Sequence, residues 1–317
     1  MDIVLLIVGL VLILLGADWL VDGSASIARK LGISELVIGL TIVAIGTSAP
    51  EMVVSLLSAI DGSADMSVGN VLGSNIANTL LVLGTVSVIT PIALTKGNIK
   101  RDVPIMFLAT LLFIFLCSDI ALRAANINSI SRFDGIIFLI CFGLFLFSSF
   151  KYSNNFEEEE VKNIKDLPAA RSILYIIFGI IALLGGGNLF VNSAKDIAIK
   201  LGASESFIGI TILAFGTSLP ELVTSVIAAI KQKGQMALGT IVGSNIFNLL
   251  LILGTTSVIT PLRLQGITNI DLGVLLLSAI LITTSSFIFG KNRISRTNGI
   301  IFLLVYIAYF LWLIINL

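Results

Sequence analysis

Two short stretches combine residue types that a membrane helix otherwise avoids. Ala44-Ile-Gly-Thr-Ser-Ala-Pro-Glu51 lies inside the apolar run Leu36–Ile60, and Ala214-Phe-Gly-Thr-Ser-Leu-Pro-Glu221 lies inside Phe207–Ile230. Each holds a glycine, two hydroxyls, a proline and an ionisable glutamate. Pro50 and Pro220 carry no N–H and clash with the turn before them, so a kink or a break is expected at each. A glutamate at membrane depth is costly unless it faces a cavity or a partner. Farther along each half, Gly73-Ser-Asn-Ile-Ala-Asn78 and Gly243-Ser-Asn-Ile-Phe-Asn248 set Ser74 with Asn78, and Ser244 with Asn248, on one helix face.

The candidate set is therefore Thr47, Ser48, Glu51, Ser74 and Asn78 from the first half, with Thr217, Ser218, Glu221, Ser244 and Asn248 from the second. Carbonyls released where the helices break, those of Ala44 and Ala214 for example, join it. Every member offers oxygen, and none is Cys or His. Oxygen-only sites suit hard cations such as Ca²⁺, Mg²⁺ or Na⁺ rather than zinc or copper. Two carboxylates sharing a site repel each other; one divalent cation, or two or more monovalent ones, relieves the repulsion, and protons compete at low pH. Mutually exclusive occupancy of one anionic site by Ca²⁺ or by several Na⁺ is the logic of an exchanger. Taken singly, a proline kink or a membrane serine carries little weight, since Ser and Thr also serve helix packing. A glutamate beside a proline at midplane, occurring twice in equivalent positions, carries much more.

The rest of the chain reads as the scaffold for that set. Of 317 residues, 56% are apolar and 12% charged, against roughly 25% charged in soluble domains, and mean hydropathy is +1.08. This is the composition of an integral membrane protein of the cell membrane, partnered by the lipid bilayer. The 19 basic and 19 acidic residues balance, which argues against nucleic acid as a partner. No histidine is present, so the usual imidazole switch is missing. Cys117 and Cys141 stand alone in apolar runs and read as packing residues. Asp18 aligns with Asn188 and reads as interfacial or structural. Asp119, Asp134, Glu35 and Glu205 sit at span ends and read as solvated or capping.

Ten apolar segments can be marked: Ile3–Val21, Leu36–Ile60, Val68–Ile89, Val103–Cys117, Phe133–Phe150, Ser172–Val191, Phe207–Ile230, Met236–Ile259, Leu272–Phe289 and Gly299–Ile315. Gly16–Pro91 aligns with Gly186–Pro261 at a constant offset of 170 without a gap, and about half of the aligned positions are identical. Five spans per half turn the second copy over in the membrane. The fold expected is thus an all-α membrane protein of ten transmembrane helices in two inverted five-helix repeats, with broken second and seventh helices. The repeats would be 1–150 and 172–317, joined by an acidic linker over 151–171 that contains Glu157-Glu-Glu-Glu160. Placing the N-terminus outside leaves roughly 14 of the 19 basic residues in cytoplasmic loops, the linker included. Gly69/Gly73 and Gly239/Gly243 have the spacing of tight helix crossings.

The paired Gly46-Thr-Ser-Ala-Pro-Glu51 and Gly216-Thr-Ser-Leu-Pro-Glu221, each followed by Gly-Ser-Asn-Ile-x-Asn, resemble the two alpha repeats of the Ca²⁺/cation antiporter superfamily, and within it the prokaryotic sodium/calcium exchangers. The resemblance covers almost the whole chain. It implies a central cluster of four cation sites, with Glu51 and Glu221 as shared calcium ligands beside the carbonyls of Thr47 and Thr217. Sodium would use the serines and the carbonyls of Ala44 and Ala214 at flanking sites. It further implies alternating access, with the first and sixth helices sliding across the remaining core. Potassium-dependent relatives and some archaeal ones carry Asp where Asn248 stands. With Asn in both repeats the site holds two formal negative charges, which speaks against potassium co-transport. The expected function is a secondary antiporter exchanging Ca²⁺ for Na⁺, without a cofactor and complete in one chain. The alternatives are a proton/calcium exchanger or another divalent-cation transporter, and, in a different class, a cation channel or a non-transporting membrane protein. An enzyme is poorly supported, because no His, dyad or HExxH metal motif is present.

Overall fold

A computed structural model of the chain describes residues 2–95, 97–118, 128–151, 167–200, 214–264, 266–287 and 293–315. Most of the acidic linker (152–166), residues 207–213 of the seventh apolar run, Asp119 and Glu205 lie outside the described residues. Helices dominate. In chain order they are α1 (Asp2–Leu31), α2 (Glu35–Thr47), α3 (Ala49–Ile60), α4 (Ala64–Ile89), α5 (Val103–Cys117), α6 (Arg132–Lys151), α7 (Ala169–Lys200), α8 (Ala214–Thr217), α9 (Leu219–Ile230), α10 (Gly234–Ile259), α11 (Asn269–Phe287) and α12 (Arg296–Ile315). Six of them are long and apolar enough to cross a bilayer unaided, and α2 with α3 forms a seventh, bent span. Two short antiparallel pairs tie loops together, β1 (Ile92–Ala93) with β4 (Arg293–Ile294), and β2 (Asn128–Ile130) with β3 (Leu262–Leu264). They are a small departure from the purely helical expectation.

The helices divide by burial. Within α10 the apolar stretch is 94% buried, against 17% in α12, so α10 is the central post and α12 part of the rim. Rim helices turn Leu, Ile and Phe outward, as with Ile7, Phe115, Phe147, Phe178 and Leu304, which suits a lipid-facing surface. Around the post, α2 comes close enough for backbones to touch. A Cβ added at Gly39 would lie 2.6 Å from the Met236 carbonyl oxygen, and one at Gly239 would lie 2.5 Å from that of Leu36. At Gly243 a Cβ would lie 2.8 Å from the Leu40 carbonyl oxygen. The crossing expected at Gly239/Gly243 is therefore present. Gly69 and Gly73 make no comparable approach among the described residues; the segment opposite them by the 170-residue offset is 205–217, largely outside the described range.

α1 and α7 pair antiparallel over most of their length. Gly9 meets Gly186, Gly16 meets Gly179 and Gly23 meets Ser172, each with backbone oxygen within 2.9 Å of where a Cβ would stand. An ion pair between Lys200 and Asp2 closes one end. At the other end the Ser172 hydroxyl donates to Ser26 Oγ at 2.8 Å. Both helices outrun the spans marked from hydropathy, which end at Val21 and Val191. Beyond Val21 the seam continues in α1 through Gly23 and Ser26, both against Ser172.

Candidate cation site

The two proline-glutamate strings break their helices as expected. α2 ends at Thr47, Ser48 leaves helical geometry (φ −85°, ψ 9°), and α3 resumes at an angle of 49°. Pro50 sits in the first turn of α3, where a missing N–H costs little. The second string repeats this, with Ser218 at φ −87°, ψ 3°, then Pro220 in the first turn of α9. Glu51 and Glu221 consequently leave the first turns of α3 and α9, and neither has any exposure.

The breaks bring the two halves together. Ser48 Oγ donates to Glu221 Oε1 at 3.0 Å, across 173 residues of sequence. Ser74 Oγ donates to Glu51 Oε1 at 3.5 Å. Asn78 and Asn248 lie in π-helical turns, Ala77–Val82 and Phe247–Ile252, which widen α4 and α10 at the same place. Such turns recur at functional sites because they redirect side chains and loosen the backbone ladder. The turn of Asn78 packs on α9, the helix of Glu221, and the turn of Asn248 packs on α3, the helix of Glu51.

Several polar atoms in this cluster are buried and lack a hydrogen-bond partner among the described residues: Glu51 Oε2, Glu221 Oε2, Ser218 Oγ, Ser244 Oγ, Asn248 Oδ1, and both amide atoms of Asn78. A buried polar atom without a partner costs about 1–3 kcal/mol, and more when charged. So many in one place form an acceptor-rich cage that fits a hard cation. Among the described residues no three of His, Cys, Asp or Glu converge, so the negative charge here comes from the two glutamates.

One expectation needs correction. The Ala44 carbonyl is not released by the break: it accepts the Ser48 N–H at 2.9 Å and the Thr47 hydroxyl at 3.4 Å. A helical N–H serves the carbonyl four residues earlier. The carbonyls deprived by Pro50 and Pro220 are therefore those of Gly46 and Gly216. Ala214 opens the short α8, and Thr217, on the same turn, carries an interaction of its own.

Four residues absent from the sequence-derived set support the cluster. Asn70 Nδ2 donates to the Glu51 carbonyl at 3.2 Å and to Ser55 Oγ at 3.0 Å, holding α4 to α3 beside the carboxylate. Asn75 Nδ2 donates to the Asn245 carbonyl at 3.3 Å, Asn248 Nδ2 donates to Asn75 Oδ1 at 3.0 Å, and Asn245 Nδ2 donates to Thr79 Oγ1 at 2.7 Å. Asn75 and Asn245 were visible as identical members of the repeated string; Asn70 and Thr79 have no counterpart, being Thr240 and Leu249 in the other half. Of the residues read as capping or structural, Asp134 and Asp18 are engaged in that way, while Glu35 is buried rather than solvated. Asp134 accepts the Ser131 N–H at 2.8 Å in a capping arrangement, and Asp18 pairs with Lys231 at 2.7 Å.

Comparison with known proteins agrees with this geometry. The sodium/calcium exchanger protein family matches residues 1–151 and 171–315. CaxA of Alkalimonas amylolytica is 39% identical over 315 residues, covering 96% of each chain. The sodium/calcium exchanger MaX1 of Methanosarcina acetivorans is 32% identical over 346 residues, covering 97% of each. Among solved structures, the sodium-calcium exchanger NCX_Mj superposes with a TM-score of 0.84 at 35% identity, covering 97% of both chains. A buried acceptor cage between broken apolar helices, and matches that span both halves, lead to one assignment: the chain belongs to the sodium/calcium exchanger family of multi-pass membrane transporters and is not an enzyme.

Proposed function

We propose that this protein is a secondary antiporter that exchanges Ca²⁺ for Na⁺ by alternating access, independently of K⁺. The observation that carries the reading is the pair of buried carboxylates, Glu51 and Glu221, each with one oxygen lacking a donor among the described residues. Two negative charges match one Ca²⁺ or two or more Na⁺. The neutral oxygens of Thr47, Ser48, Ser74, Asn78, Thr217, Ser218, Ser244 and Asn248, with backbone carbonyls of the two breaks, complete the shells. Occupancy by one ion type excludes the other, and that exclusion couples the two fluxes.

In this reading the chain forms ten spans in two inverted repeats, 1–150 and 172–317, with the N-terminus outside and the 151–171 linker cytoplasmic. Equivalent breaks at Ser48 and Ser218, and equivalent π-helical turns at Asn78 and Asn248, support the repeat. Both carboxylates come from one chain, so a monomer suffices.

The test is ⁴⁵Ca²⁺ uptake by proteoliposomes under an imposed Na⁺ gradient and, separately, an imposed H⁺ gradient. Uptake driven by Na⁺ and not by H⁺ is expected. Uptake driven by H⁺ alone would replace the reading with proton/calcium exchange, and uptake under neither would refute calcium antiport.

A further inference from the structure

Asn248 is buried and carries one satisfied and one unsatisfied end. Its Nδ2 donates to Asn75 Oδ1 at 3.0 Å, while its Oδ1 has no partner among the described residues. A carboxamide can rotate to present either end, so the polarity of this bond needs a cause. It lies one step back. Asn75 Nδ2 faces the backbone carbonyl of Asn245 at 3.3 Å. A backbone carbonyl only accepts. Asn75 must therefore turn its nitrogen toward Asn245 and its oxygen toward Asn248. That oxygen accepts from the Asn248 amide nitrogen, and the Asn248 oxygen is left pointing away, on the turn that packs against the helix of Glu51.

We propose that Asn75 is a positioning residue. Its hydrogen bond to the Asn245 carbonyl sets the Asn248 carboxamide with oxygen, not N–H, presented to the transported cation. This rests on the exchange reading above, in which Asn248 is a cation ligand.

The device is one-sided. By the 170-residue offset, Asn78 corresponds to Asn248 and Asn245 to Asn75. The matching bond from Asn78 to Asn245 is not made among the described residues, since Asn78 Nδ2 and Asn245 Oδ1 both lack partners. Asn245 instead gives its amide to Thr79 Oγ1 at 2.7 Å, and the counterpart of Thr79 is Leu249, which has no acceptor to offer Asn75. Asn248 is thus a preset acceptor and Asn78 a rotatable one, so the two halves of the cage are chemically unequal.

An Asn75 that only stitches α4 to α10 would also matter for folding, and the test separates that role. Asn75→Ala is made in the native chain and in an Asn248→Asp background, where a carboxylate has no wrong end to present. Ca²⁺ affinity of the purified protein is read by calorimetry in both, and KM and Vmax of Na⁺-driven uptake are read in the native background. We expect N75A to weaken Ca²⁺ binding about tenfold in the native background, the scale of one lost hydrogen bond beside a charge. KM should rise with Vmax within about twofold, again on the scale of a ground-state binding loss, and no weakening is expected in the N248D background. Equal weakening in both backgrounds, or none in the native one, overturns the proposal. Should N75A not fold, Asn75→Leu, which keeps the volume and removes both bonds, is read in the same way. Failure of the unsubstituted protein to take up Ca²⁺ would count against the exchange reading, whereas intact uptake with an unaffected N75A would count against Asn75 alone.

Discussion

Glu51 and Glu221 each accept one serine hydroxyl, and the other oxygen of each has no partner among the described residues. Replacing either with Gln keeps the volume and removes half of the formal charge. Glu51→Gln and Glu221→Gln are each expected to lower Na⁺-driven ⁴⁵Ca²⁺ uptake roughly 100-fold, because Ca²⁺ affinity follows the charge count of its ligands. Uptake at the unsubstituted rate in either variant would refute their role. These glutamates were legible in the sequence because a carboxylate beside a proline in an apolar run is expensive wherever it sits. The partner of each was not legible. Ser48 lies three residues before Glu51, yet its hydroxyl serves Glu221 in the other half. Nothing in local spacing says so.

The close α1–α7 seam depends on glycine. At Gly16 an added Cβ would stand 2.7 Å from the Leu183 nitrogen and 2.8 Å from the Gly179 oxygen, both backbone atoms that cannot swing aside. Gly16→Val should therefore force the helices apart and cost about 1–3 kcal/mol, read as a lower melting temperature of the purified protein. The seam also predicts that α1 and α7 move as one body if they move at all. In its second half α1 is tied to the loop between α9 and α10: Lys231 pairs with Asp18 at 2.7 Å and with Asp22 at 2.8 Å, and the buried Lys233 reaches Asp22 at 3.3 Å. Burial pulls the Lys233 ammonium below its usual range, with Asp22 and Glu35 opposing the shift. Asp22→Ala would remove its nearest counter-charge. A loss of about 3 kcal/mol is expected, measured by thermal unfolding, and Asp22→Ala with Lys233→Met should recover part of it. Asp22 gave little signal in the sequence, since an acid just past the end of an apolar run ordinarily meets water, and here the loop of another helix pair covers it.

With two carboxylates and Asn at both 78 and 248, the assembled cage carries two formal negative charges among its described residues. The expected consequence is transport without potassium. Ca²⁺ uptake should persist when choline replaces K⁺ on both sides of the vesicle, and a strict K⁺ requirement would overturn the charge count as the basis of selectivity.

Membrane residence, the positions of the two breaks and the oxygen-only chemistry of the candidate set follow from the chain alone. Each is a local cost: apolar length, a proline without N–H, a carboxylate in lipid. The 170-residue repeat then marks which polar residues belong together. The pairing itself belongs to the fold. Ser48 meets Glu221, Asn248 donates to Asn75, and Ala44 keeps its carbonyl engaged. Hydrogen bonds across more than 160 residues of sequence, such as those of Ser48 with Glu221 and Asn245 with Thr79, depend on how close glycine-lined helices approach one another. That distance is set by packing in three dimensions, and no spacing along the chain encodes it.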